Sequence, residues 1–228
     1  MSGREWYLLI SSSLRRLGWK ENKKDPCFFS RKAYGQREHL LLYVDDLMIV
    51  SPNSQRSEFI KAEVSSLFSV KDLGEISYFL GMKIERSEDK SIIYLSQNDL
   101  IDNMITKHDL ETRRPVTTAP IVQQSIISPR STEDGVASPD FVTRYRSLVG
   151  TLLYISRYTR PDISYAVNVC TRFQQNPAAH HMELVERIAL YLSLYITRLS
   201  KPTQIRTYEV QHIQSHLFST CLEEISIR

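Results

Sequence analysis

Two adjacent carboxylates, Asp45 and Asp46, interrupt an otherwise apolar run from Leu40 to Val50. An ionised carboxylate buried without a partner is costly, so the pair must sit where the chain reverses or where a cation waits. Two readings satisfy this. In the first, Asp45-Asp46 is a solvent-exposed hairpin turn between core strands, because Asp tolerates turn geometry. In the second, a tight hairpin presents hard oxygen ligands to Mg²⁺ at the rim of a sheet. Mg²⁺ favours one or two carboxylates together with waters and substrate phosphates. Two such ions about 3.5–4 Å apart activate a 3′-hydroxyl and stabilise leaving pyrophosphate in nucleotidyl transfer.

The flanking sequence supplies elements able to hold such a hairpin. Trp6, Leu9, Ile10, Leu14 and Leu17 recur at helical spacing, and Gly18 follows as a C-terminal stop. Pro26 to Ser30 reads as a strand, Tyr34-Gly35-Gln36-Arg37 as a turn, and Ser51-Pro52-Asn53-Ser54 as punctuation. Phe59, Ile60, Val64, Leu67 and Phe68 mark a helix packed on one face. Ser77 to Arg86 and Ser91 to Leu95 read as strands joined at Ser87-Glu88-Asp89-Lys90. Ser96-Gln97-Asn98-Asp99 resembles a capping box opening a helix with core face Leu100, Ile101, Met104 and Ile105. This is an α+β pattern around a mainly antiparallel sheet.

Residues 111–137 lose periodicity and contain Pro115, Pro120 and Pro129, which marks a linker between residues 1–110 and a helical region, 138–199. Ser138-Pro139-Asp140 starts a helix carrying Tyr145, Leu148, Val149 and Leu152. Pro161 starts a second helix, which Pro177 ends, and Leu184, Val185, Ile188, Leu192 and Tyr195 mark a third. Residues 200–228 form a divergent tail without a clear period. In it, His212, His216 and Cys221 have a spacing that invites a zinc reading, but a closed set of four ligands is lacking and surface placement is the better account.

Composition bounds the function. The chain has 228 residues, 42% hydrophobic and 24% charged, enough for one large or two small cores. Three scattered cysteines argue against a disulfide framework and for a reducing, intracellular setting, cytoplasmic or nuclear. No apolar run approaches the ~20 residues needed to span a bilayer, and the start shows no signal-peptide pattern. The net charge is +3, yet residues 1–40 hold nine Lys/Arg against four acids. Such a surplus is compatible with phosphate contacts, although on charge alone a solvated face is the better account.

The hairpin sits in a recognisable series. Leu42-Tyr43-Val44-Asp45-Asp46-Leu47-Met48-Ile49 is followed by Phe68-Ser69-Val70-Lys71-Asp72-Leu73-Gly74, Tyr78-Phe79-Leu80-Gly81-Met82-Lys83-Ile84 and Leu95-Ser96-Gln97. Tyr145-Arg146-Ser147-Leu148-Val149-Gly150 and Thr159-Arg160-Pro161-Asp162-Ile163-Ser164-Tyr165-Ala166-Val167 come next, and Trp6-Tyr7 with Lys24-Asp25-Pro26-Cys27 precede. Over roughly residues 4–195 this resembles Ty1/copia-type retrotransposon reverse transcriptases. The resemblance implies a partial polymerase palm over 1–110, then a thumb- or connection-like helical region.

The resemblance also implies roles. Asp45 is the best candidate for direct metal coordination, and Asp46 contributes to the same acidic, catalytic site, although adjacent strand residues face opposite ways. The metal is Mg²⁺ or Mn²⁺ where the site is completed. Tyr43 lies where the family contacts the template–primer, and Phe79-Leu80-Gly81 resembles the primer-grip hairpin, with Gly81 letting a backbone come close. Lys71 is the candidate nucleotide-binding cation. Arg144, Arg146, Arg157, Arg160 and Arg172 are candidate phosphate contacts. The partners implied are an RNA or DNA primer–template, dNTPs and the remaining portions of a Gag-Pol polyprotein, with no membrane.

A full polymerase of this kind also needs an earlier palm aspartate, fingers and a ribonuclease H domain. The acids before the hairpin (Glu5, Glu21, Asp25 and Glu38) do not lie in the apolar strand context that ligand requires. The expectation is a polymerase fragment inactive in isolation. The alternatives are a non-catalytic nucleic-acid-binding remnant and a purely structural or interaction protein.

Overall fold

A computed structural model describes residues 2–88, 92–118, 120, 128–132, 135–198 and 221–227. Asp89 and Lys90 of the expected turn, parts of the linker, and His212 and His216 lie outside the described residues. Helix α1 spans Gly3–Arg16, α2 Ser54–Ser65, α3 Asn98–Lys107, α4 Pro139–Tyr158, α5 Ser164–Thr171 and α6 Ala179–Arg198. Strands are β1 Lys20–Glu21, β2 Phe28–Ala33, β3 Gln36–Tyr43, β4 Asp46–Ser51, β5 Val70–Glu75, β6 Tyr78–Phe79, β7 Met82–Arg86, β8 Ile93–Ser96 and β9 Cys221–Ile227. The fold is α+β with antiparallel pairing throughout the larger sheet.

Two compact units result: Met1–Phe79 with Ile84–Tyr94 and Glu209–Arg228, and Leu80–Lys83 with Leu95–Tyr208. The first is built on a six-stranded sheet ordered β1-β2-β3-β4-β9-β5. Strand alternation explains its two faces. Leu40, Leu42, Leu47, Ile49, Ile225 and Ile227 turn inward, where Ile10 and Leu14 of α1 and Ile60 and Val64 of α2 cover them. Each buried aliphatic side chain contributes roughly 1.5–3 kcal/mol by leaving water. The opposite face carries Asp46, Met48 and Val50, which stay half-exposed.

Local signals place the helices. Ser2 Oγ accepts from the Glu5 amide while the Glu5 carboxylate accepts from the Ser2 amide at 2.7 Å, a reciprocal cap for α1. Gly18, at φ +86°, ends that helix as expected, with the Trp19 amide donating back to the Leu14 carbonyl. The expected box at Ser96 does not form. Ser96 ends β8, and the N-cap of α3 is Gln97, which makes no side-chain cap. Gln97 is buried, and its Oε1 accepts from the Thr159 hydroxyl at 2.7 Å, so the side chain is committed elsewhere.

The tail also departs from expectation. Residues 221–227 form β9, inserted between β4 and β5. Ile225 and Ile227 alternate with Glu224 and Ser226, so four residues of period-two pattern suffice once a two-sided slot exists. Lys61 of α2 pairs with Glu223 of this strand and with Asp72 of β5. Burial alone would pull the Lys61 ammonium down; its bonds to Asp72, Glu223 and Glu58 reverse that and hold it well above the usual lysine range.

The second unit is helical. Helices α3 to α6 share one core containing Ile101, Met104, Leu110, Tyr145, Leu152, Ile188 and Leu192. Ser138 caps α4 and Pro139 opens it, while a 3-10 turn at Pro161–Ile163 leads into α5, as the proline positions require. Helix α3, which the sequence groups with the front of the chain, packs against α6 because its Ile101–Met104–Ile105 stripe has its apolar partners there. No helix among the described residues is long and apolar enough to cross a membrane.

Candidate active site

Strands β3 and β4 close on a Tyr43↔Asp46 pair, which makes Val44 and Asp45 the two turn residues. Asp45 is at an exposed tip, and Asp46 is the first residue of β4, half-exposed. Val44 sits at φ +53°, a conformation that a β-branched residue adopts only under constraint. The constraint is visible. Trp6 Nε1 donates to the Val44 carbonyl at 2.7 Å, and the Ile227 amide donates to the Asp45 carbonyl at 2.8 Å. Both turn carbonyls are therefore held, one by α1 and one by β9.

The register aligns further candidates. Asp46 pairs with Ser226, and Ser226 pairs with Lys71 across β9. Directly paired residues project to the same side of a sheet, so Asp46, Ser226 and Lys71 form one row, two strand spacings or roughly 10 Å across. Glu224 lies two residues along β9 on that face. Its carboxyl is raised by burial first and by the Asp46 charge second. Lys71 is exposed.

Tyr43 is 51% exposed, and its ring meets Phe79 edge-on with centroids 6.3 Å apart. The structure thereby brings together two sequence-predicted nucleic-acid contacts, although Phe79 is buried and turns its surface to the protein. In the second unit, Leu80 and Gly81 form the two-residue turn between β6 and β7, at φ +52° and +71°. The Leu80 carbonyl accepts from the Tyr154 hydroxyl. A Cβ at Gly81 would meet no atom of this chain within 4 Å, so the positive φ and not crowding calls for glycine. Of the candidate arginines, Arg144 bonds Glu186 and the His108 carbonyl, Arg160 bonds Asp162, and Arg146 bonds the Gln174 carbonyl. These three are committed within the helical unit.

Sequence reasoning missed the parts played by four residues. Trp6 reads as a core residue, and its indole N–H, a polar handle on an apolar ring, was the available signal. Glu224 and Ile227 act through β9, whose pairing depends on a slot formed by residues far away in sequence. Glu38, counted only as an acid before the hairpin, is buried in β3, bonded to Arg31 at 2.7 Å and Arg56 at 2.6 Å.

Comparison with known proteins decides the ancestry. Residues 1–123 match the family model described as reverse transcriptase (RNA-dependent DNA polymerase), over half of the chain. The chain is 34% identical over 83% of its length to a retrovirus-related Pol polyprotein from transposon TNT 1-94 of Nicotiana tabacum. It belongs to the Ty1/copia-type reverse transcriptases. It is 31% identical over 85% of its length to a putative transposon Ty5-1 protein of Saccharomyces cerevisiae. It is also 33% identical over 83% to the retrovirus-related Pol polyprotein from transposon RE1 of Arabidopsis thaliana. This reverse transcriptase chain spans 14%, 60% and 12% of those three relatives. No solved structure matches it.

Proposed function

We propose that this chain carries the catalytic hairpin of a retrotransposon RNA-directed DNA polymerase, within a palm formed by the first unit and followed by a thumb-like helical unit. The observation behind this reading is the rigidly held turn that exposes Asp45 and half-exposes Asp46, with Lys71 in the same cross-strand row. Two carboxylates that make no hydrogen bond among the described residues suit a hard divalent cation, which takes few protein oxygens and fills its shell with water and phosphate. Asp45 and Asp46 would hold Mg²⁺ or Mn²⁺, whose contribution is to polarise the phosphoryl oxygens and lower the pKa of the primer 3′-hydroxyl.

The protein's own side chains do the positioning. Tyr43, with one ring edge on Phe79 and half its surface free, supports the primer–template beside the turn. Leu80 and Gly81 contact the primer strand. Lys71 attracts the incoming triphosphate. The partners are a primer–template, dNTPs and the remaining portions of the Pol polyprotein. The chain by itself does not extend a primer, because two-metal transfer needs another fixed carboxylate and the surfaces that place the nucleotide.

Primer extension with the purified chain and Mg²⁺ or Mn²⁺ tests both halves. The expected result is no incorporation by the chain alone, with Mn²⁺ binding, read by electron paramagnetic resonance, lost in Asp45→Asn and Asp46→Asn. Incorporation that Asp45→Ala abolishes would overturn the inactivity and keep the site. Mn²⁺ binding unaffected by either substitution would overturn the site.

A further inference from the structure

At the end of β3 opposite the catalytic turn lies a cleft of about 590 Å³, within the range of small-ligand sites. Its lining includes Lys20, Arg31, Lys32, Arg37 and Arg56, with the aromatic rings of Tyr34 and Phe59. Two of the five cations are already neutralised. Arg31 pairs with Glu38 and Glu63, and Arg56 with Glu38. Lys20, Lys32 and Arg37 are exposed and make no ion pair among the described residues, which leaves three uncompensated positive charges on the cleft.

The register makes this surplus more telling than a scatter of surface lysines. Lys32 and Arg37 are directly opposite each other across β2 and β3, a like-charge pair that destabilises a sheet. In the adjoining row Lys20 pairs with Ser30, and Ser30 with His39. His39 also lines the cleft, and its buried Nδ1 has no hydrogen-bond partner. An anion would relieve the repulsion. Beside these charges, Tyr34 occupies the β2–β3 turn at φ +50° and is 91% exposed, an aromatic face displayed where a polar turn residue would be ordinary. The Arg56 guanidinium lies 5.3 Å from its centroid and 4.4 Å from that of Phe59, which braces both rings.

Cations placed to take phosphates, next to an open aromatic face, form the combination that grips single-stranded nucleic acid. We propose that this cleft is a second nucleic-acid site. It holds the phosphodiester backbone of a single strand on Lys20, Lys32 and Arg37 and stacks a base on Tyr34. The site is separate from the Asp45–Asp46 turn and does not rest on the polymerase reading.

The test is fluorescence anisotropy of a labelled single-stranded oligonucleotide with the full chain across a salt series. Lys32→Gln/Arg37→Gln is expected to weaken binding at least tenfold at low salt. It should also reduce the slope of log K against log salt by about 1.4, at ~0.7 per phosphate contact. Tyr34→Ser should weaken binding severalfold with the slope unchanged. Lys20→Gln, a single exposed change with the fold checked by circular dichroism, should lower the slope by about 0.7. Asp45→Asn should leave all of this intact, so failure here and failure of the polymerase reading are separable. Unchanged affinity and slope in the double variant would overturn the proposal. So would displacement of the strand by a free mononucleotide at equal phosphate concentration, which would make the cleft a nucleotide pocket instead.

Discussion

The indole N–H of Trp6 reaches across 38 residues to the carbonyl of Val44, donating at 2.7 Å to the turn that carries Asp45. A solvent-facing turn with a valine at φ +53° would relax if left alone. The tryptophan, further packed edge-on against Phe68 at 5.5 Å, keeps it from doing so. Trp6→Phe should therefore lower stability by about 1 kcal/mol for the lost bond, read from urea denaturation. Val44→Asn should be neutral or stabilising by up to ~1 kcal/mol, because asparagine tolerates the left-handed region and little packing is lost from a residue 64% exposed. A destabilised Val44→Asn would mean that the backbone strain is not there.

Glu38 should be the most acid-sensitive group in the sheet. Burial alone would raise its carboxyl, but the bonds from Arg56 and Arg31 outweigh burial and hold it below the usual range. A depressed carboxylate contributes stability that is complete above its unfolded pKa, about 4.3, and lost as the pH falls through the lower folded value. The urea midpoint should fall between pH 5 and 2, and Glu38→Gln should flatten that dependence. The same substitution leaves Arg56 without its buried partner and should cost about 3 kcal/mol at neutral pH.

Strand β9 makes the sheet continuous. Ile225, fully buried between β4 and β5, should cost about 3 kcal/mol as Ile225→Ala, measured by thermal or urea denaturation. Removing residues 221–228 should do more than subtract contacts. It would expose the edges of β4 and β5 together, and open edges template association. Size-exclusion chromatography should show the truncated chain as oligomer or aggregate where the full chain is not. A monomeric, equally stable truncation would mean β9 is not part of the folded sheet.

In the helical unit, Tyr145 donates to the Cys170 carbonyl at 2.8 Å, and burial pushes the Cys170 thiol up to about 12. A thiol so placed presents almost no thiolate near neutral pH. Iodoacetamide at pH 8 followed by peptide mapping should leave Cys170 unmodified in the native chain and label it fully in denaturant. Tyr145→Phe should lower stability by roughly 1 kcal/mol, since it removes one buried bond and keeps the ring.

What the sequence determined by itself is everything that depends on neighbours. Period and punctuation place α1 with its Gly18 stop, the β3–β4 hairpin around Asp45 and Asp46, and the Pro-started α4, because caps, turns and alternation are local physics. The ordered motifs beyond the hairpin identify the family for a similar reason, since each is a short contiguous string. Tertiary structure alone decided the rest. Gln97 forgoes its cap because Thr159, 62 residues away, offers a buried partner. Glu38 is a buried ion only because Arg31 and Arg56 converge on it from a strand and a helix. Lys71 joins the row of Asp46 only through Ser226, in a tail whose strand exists because β4 and β5 leave room for it. Such pairings are set by which surfaces meet once the core forms, and a strand's partner, unlike its period, is written nowhere in its own residues.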